Sequence, residues 1–181
     1  MKDIISKRRS IRSFKDVPVE KDKIDLLFEA ARWSPSAMNA QPWVYVYASA
    51  GETLHSAIAE TLAPGNRVWA AKAPLLIVSL AKTNFENDTP NNTARHDVGM
   101  ANHAIALQAT ALDLQAHMMS GFDHEALERL LQFPPDVKAV VVMAAGYPGV
   151  AASLPDPFRE RETAPRKRKT IDEFVFNHPN T

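Results

Sequence analysis

The sequence predicts a layered fold in which strands alternate with helices, of the α/β or α+β kind. Three apolar segments carry that reading. Residues 75–81 are a nearly continuous apolar run, Leu-Leu-Ile-Val-Ser-Leu-Ala, as expected of a strand covered on both faces. Residues 43–48 are rich in aromatic and β-branched side chains, and Val140-Val141-Val142 opens a third strand that runs into Gly146-Tyr147-Pro148. Stretches of helical periodicity separate them. Three strands leave the sheet topology open.

Taken in order, residues 3–9 form a short first helix that presents a basic cluster at its end. Asp22 is placed as an N-cap, followed by Ile24, Leu27, Phe28 and Ala31 at helical spacing. That helix stops before Pro35, because the residue preceding proline disfavours the α region. Ser49 and Glu52 fit a capping box for a helix towards Leu62, which Pro64-Gly65 ends. Residues 84–93 are polar and read as an exposed loop. Residues 97–117 read as one long helix, with Ala101, Ile105, Ala109 and Leu112 along one face. Asp123 caps a shorter helix over 125–132, which Pro134-Pro135 breaks. From about residue 149 prolines and charges give an extended tail, with a short helix over 171–176.

Composition narrows the function. A chain of 181 residues fits one domain, 1–181, able to bury a substantial core. Formal net charge is zero, which argues against whole-molecule attraction to nucleic acid. No apolar run reaches the roughly 20 residues that span a bilayer, and no signal peptide is read. The absence of cysteine removes disulfides and thiolate chemistry and fits a cytoplasmic location. The histidines at 96, 103 and 117 form no compact H-x-x-x-H pair, so no metal site is expected. His96 or His103 is read as an interface or core-edge histidine. Trp33, Trp43 and Trp69 are read as packing residues, with Trp69 alternatively lining a pocket.

Two cationic segments stand out. Arg8-Arg9-Ser10-Ile11-Arg12 packs three guanidinium groups and a hydroxyl into five residues, and Arg166-Lys167-Arg168-Lys169 lies near the other end. Arg pairs with phosphate through two parallel charge-assisted hydrogen bonds. Neither glycine-rich phosphate loop is present, so a phosphate ligand would have to be held by side chains. The alternative for the tail run is a solvated or weakly polyanion-binding surface. Between two prolines, residues 35–42 offer Ser36, Asn39 and Gln41; carboxamides donate and accept, which suits the edge of a heteroaromatic ring. Their alternative role is to cap backbone atoms between helix and strand.

Arg8-Arg9-Ser10-Ile11-Arg12 followed by PSAMNAQPW resembles the nitroreductase family of FMN-dependent oxidoreductases. Asp97-Val98-Gly99-Met100-Ala101, Ser120-Gly121-Phe122-Asp123, Ala145-Gly146-Tyr147-Pro148 and PRKRKTIDEFV continue the resemblance in order, across essentially the whole chain. The resemblance implies an α+β fold with a mainly antiparallel central sheet flanked by helices. It further implies an intertwined homodimer with FMN at the subunit interface. On matching positions, Arg8, Arg9, Ser10 and Arg12 would hold the phosphate and pyrimidine side, with Arg166 and Arg168 closing on the phosphate. Pro35, Ser36, Ala37, Asn39 and Gln41 would reach the partner's flavin. Ser120 and Gly121 would place a backbone N–H near flavin N5, and Asn66 would contact flavin or substrate.

Chemistry would rest with the cofactor, reduced by NAD(P)H and reoxidised by nitro compounds, quinones or similar electrophiles in ping-pong fashion. No protein acid or base is assigned; Arg12 and Ser120 would tune the flavin. Ser120 departs from the glutamate that larger members carry, and the short chain implies a reduced cover over the substrate pocket. The competing readings are a specialised reductive reaction, such as dehalogenation or enone reduction, and a flavin carrier without turnover.

Overall fold

The computed structural model describes residues 2–177, so the two extremes of the expected 1–181 domain lie outside it. In chain order the helices and strands are α1 (Lys2–Lys7), α2 (Lys21–Arg32), β1 (Trp43–Ser49), α3 (Thr53–Thr61), α4 (Pro64–Ala70), β2 (Leu75–Lys82), α5 (Ala94–Ala111), β3 (Gln115–Met119), α6 (His124–Leu131), β4 (Val137–Gly146) and α7 (Phe158–Thr163). The strands form one sheet in the order β1-β2-β4-β3, and every pairing is antiparallel. The fold is therefore α+β.

The pleat explains why β2 reads as unbroken apolar sequence. Leu76, Val78 and Leu80 point into a core shared with Ile58, Trp69 and Leu127 of α3, α4 and α6. Leu75 and Ile77 point the other way, into a core shared with Leu27 and Ala31 of α2 and Ala101, Ile105 and Ala109 of α5. Neighbouring β1 repeats the alternation: Val44, Val46 and Ala48 join the first core, while Trp43, Tyr45 and Tyr47 join the second, where Phe28 packs on both tyrosine rings. The alanines of α5 let it lie close against α2 and the sheet. Each fully buried Leu or Ile on this central strand contributes roughly 1.5–3 kcal/mol.

Several boundaries differ from the sequence expectation for identifiable reasons. The segment read as one helix over 97–117 is two elements. Helix α5 ends at Ala111, Asp113 turns the chain at φ 61, and β3 follows as an edge strand. Pro64 does not end a helix; it stands at the first position of α4, where its missing N–H has no partner to lose. Asp22 lies inside the first turn of α2, whose N-cap is Glu20. Half of the capping box survives, since the Ser49 N–H donates to Glu52 (3.1 Å). The region after 149 is not wholly extended, because α7 interrupts it, and only Ile171–Glu173 of the last helix forms, as a 3-10 turn.

Asp123 caps α6 as expected, accepting the Ala126 N–H at 2.9 Å. Asp123→Ala should lower stability by about 1 kcal/mol, read as a shift in the urea unfolding midpoint.

Candidate functional site

The strap 8–15 is fixed at both ends to the sheet. At one end the Arg9 N–H donates to Gln115 Oε1 (2.7 Å), and His117 Nδ1 meets the Ile11 carbonyl (2.8 Å), so β3 carries the arginine cluster. At the other, Lys15 N–H donates to Tyr147 O and Gly149 N–H to Ser13 O, each at 2.9 Å. Ser13, 2% exposed, donates its hydroxyl to Val150 O (2.8 Å). Gly149 is required there. A Cβ on it would lie 2.8 Å from the Phe14 carbonyl carbon and oxygen.

The two cationic segments converge. Arg166 donates to the carbonyls of Ser6 and Arg8 at the end of α1, where a cation complements the free carbonyls. Burial first, and then the neighbouring charges of Arg168 and Arg166, pull the Arg8 guanidinium below its ordinary pKa. Arg8 reaches Ser10 Oγ (3.3 Å), and among the described residues no carboxylate pairs with Arg8, Arg166 or Arg168. Three like charges held together without a counter-ion are a fitting receptor for a phosphate. Arg9 is turned differently: its Nη2 donates to the Glu162 carbonyl (3.1 Å).

Arg12 sits in another setting. Its guanidinium lies 5.8 Å from the Trp69 ring centroid and 3.9 Å from the Glu162 carboxylate; burial lowers its pKa and outweighs Glu162, which raises it. The Trp69 ring is 4.6 Å from that of His117. Burial chiefly, with Arg12 and Arg8 adding, pushes His117 down to about 4, although its bond to Ile11 opposes this. The folded state thus binds this proton less readily than an unfolded chain with a pKa of 6.5. Stability should therefore fall as pH drops from about 6.5 towards 4, by up to one proton's worth of slope. Urea unfolding across that range checks it, and His117→Asn should flatten the curve.

Asn66 and Gly121 meet as a pair. Asn66 Nδ2 and the Ala63 N–H both donate to the Gly121 carbonyl (3.0 Å each), and a Cβ at 121 would lie 2.9 Å from Asn66 Nδ2. Ser120 is exposed beside them, just past the end of β3.

The loop 35–42 lies elsewhere. Ser36 Oγ accepts the Gln41 N–H (2.9 Å), and the buried Asp97 at the start of α5 accepts the Ala37 N–H (3.0 Å). Pro35 is exposed at the start of this loop. Met38, Asn39 and Gln41 adopt positive φ of 52, 55 and 45, a region costing roughly 1–2 kcal/mol for L-residues. Met38 is 88% exposed. This loop feeds edge strand β1, whereas the arginine strap crosses edge strand β3. Three strand spacings, about 14 Å, separate those edges. Among the described residues no hydrogen bond or ion pair joins the loop to residues 8–12. Beside the loop is a cleft of about 500 Å³ bordered by Met38, Gln41, Lys82, Phe85 and Asn87.

Sequence reasoning missed Gln115, His117 and Glu162 as supports of the strap; only tertiary pairing reveals them. Of the tryptophans, Trp69 is buried in the core, whereas Trp33 is 75% exposed and touches the surface side chains of Arg32 and Glu29 rather than the core. His96 and His103 are exposed too. Among the described residues no group of three or more His, Asp or Glu is placed to hold a metal ion, and no helix is long and apolar enough to cross a membrane.

The Nitroreductase family model matches residues 5–147. A crystal structure described as an oxidoreductase containing FMN superposes with a TM-score of 0.93 at 31% identity, covering 99% of this chain and 92% of that one. A Rhodopseudomonas palustris protein provisionally named an NADH dehydrogenase/NAD(P)H nitroreductase is 28% identical over 147 residues, 71% of this chain and 74% of that protein. The 5,6-dimethylbenzimidazole synthase of Rhodobacter capsulatus is 27% identical over 177 residues, 84% of this chain and 86% of that enzyme.

Proposed function

The chain belongs to the Nitroreductase family, and from that premise we propose an FMN-dependent reductase that takes hydride from NAD(P)H and reduces nitro compounds, quinones or similar electrophiles. The observation that carries the proposal is the convergence of Arg8, Arg166 and Arg168, which have no carboxylate partner among the described residues. FMN, when bound, would supply the hydride chemistry that links NAD(P)H to the acceptor. The chain's own residues position and bias it. Arg8 and Arg168, with Arg9, Ser10 and Arg166 close by, hold the phosphate. Arg12 presents a fixed cation to the pyrimidine side, where negative charge grows on reduction. Asn66 holds the Gly121 carbonyl, which orients the Ser120–Gly121 backbone towards N5.

The loop 35–42 is the second half of the site and is assigned to the partner's flavin. Its place on the sheet edge opposite the arginine strap supports a homodimer, since one chain alone keeps the two halves apart. Exposed Ile171, Phe174 and Val175 add apolar surface for a second copy to cover. The acceptor is assigned to the cleft beside Met38 and Phe85. The complete lack of cysteine suits the cytoplasm.

A specialised reaction of the same fold is the second reading, favoured by the likeness to a synthase. Anaerobic mixing of the yellow protein with NADH or NADPH tests the first. Bleaching by either nucleotide is expected; failure with both rejects the reductase. A panel of acceptors offered to the reduced protein then separates a broad from a dedicated reaction.

A further inference from the structure

The arginines of the strap differ in what surrounds them. The charged neighbours acting on Arg8 are Arg168 and Arg166, whereas Arg12 faces a carboxylate that is itself nearly buried, the Glu162 side chain being 11% exposed. That carboxylate accepts the Arg12 N–H through both oxygens (2.9 and 3.0 Å) and the Ser13 N–H at 3.3 Å. Its backbone carbonyl holds Arg9. Glu162 is therefore anchored by the strap's own backbone, and its charge cannot swing away from Arg12. The Trp69 face pins the guanidinium on another side, and Arg161 is the further cation acting on Arg12. His117 adds none, being neutral near pH 7.

We propose that Glu162 is a positioning residue that sets the reduction potential of bound FMN by partly cancelling the charge of Arg12; this rests on the flavoprotein reading above. The phosphate anchors keep their full charge and hold the cofactor in both redox states. Arg12, paired with a fixed anion, offers a weaker field to the pyrimidine side, so the reduced form is stabilised less than an unpaired arginine would stabilise it. The protein then keeps a flavin that gives up its electrons readily. Glu162 belongs to the tail segment and lies 150 residues from the arginine it governs.

The test is the midpoint potential of the bound flavin, measured by anaerobic dye equilibration. Glu162→Gln keeps an acceptor for the strap N–H and removes the charge. The reduced-to-oxidised ratio at a fixed potential should rise about tenfold, a positive shift of about 30 mV for two electrons. In an Arg12→Gln background the same substitution should produce no shift. An unmoved or lowered potential in Glu162→Gln overturns the proposal, as does an equal shift without Arg12. If Glu162→Gln fails to retain FMN, Glu162→Asp is read instead. Its shorter side chain draws the anion back, so a smaller positive shift is expected, and none overturns the proposal. A wild-type protein that binds no FMN would reject the flavoprotein reading itself, a separate outcome.

Discussion

Arg8→Ala combined with Arg168→Ala is expected to weaken FMN binding by on the order of 100-fold or more, read by titrating apoprotein and following flavin fluorescence. Each hydrogen bond to a charged group contributes roughly 1.5–3 kcal/mol, and the pair of substitutions removes at least two. The apoprotein should respond in the opposite direction. Arg8 is crowded by Arg168 and Arg166 and has no carboxylate partner among the described residues, so removing it relieves repulsion when no phosphate is present. Unfolding of the double variant without FMN should begin at an unchanged or higher urea concentration than wild type. Unchanged affinity would place the phosphate elsewhere. A large loss of apoprotein stability would show that these arginines are structural.

Gly149→Ala is the second variant with a large expected effect. Its added Cβ would stand 2.6 Å from Ser13 Oγ and 2.8 Å from the Phe14 backbone, and backbone cannot rotate aside as a flexible side chain can. Overpacking of this kind costs about 1–3 kcal/mol. The strap must separate from the end of β4, which breaks the Gly149–Ser13 and Lys15–Tyr147 bonds. Because the same strap carries Arg8 and Arg12, FMN affinity should fall along with stability. Stability within about 0.5 kcal/mol of wild type would mean that the strap and the β4 end are not tightly joined.

Strands β1, β2 and β4 were legible because β-branched and aromatic residues concentrate where both faces are covered. Strand β3 was not. Gln115-Ala116-His117-Met118 has no β-branched residue, and the alanine-rich helix before it continues its pattern into it. Pairing with β4 overrides that local preference, as Ala116↔Ala145 and Met118↔Met143 show. Helix α4 was hidden by reading Pro64 as a stop, although proline serves equally well as a start. Helix α7 was hidden among charges with one aromatic at its head.

Of the candidate site, the basic segments and the stiff loop were legible as chemistry, and the resemblance supplied their ligand. That Arg8, Arg166 and Arg168 stand together needed the fold. Glu162 carried no signal at all, being one acid in a charge-dense tail. Its importance comes from backbone N–H groups 150 positions away, which no spacing rule reaches.

The closure of the tail upon the strap also orders events in time. The proposed anion receptor joins residue 8 to residues 166 and 168, the Arg166–Arg8 contact spanning 158 positions. Such contacts form after local ones. During synthesis the sheet and the second core can assemble once residue 147 has emerged, and Leu154 and Phe158 then complete the first core. On the proposed reading the phosphate anchors are completed only with residue 168, so FMN would be captured by a body already folded rather than by a nascent chain.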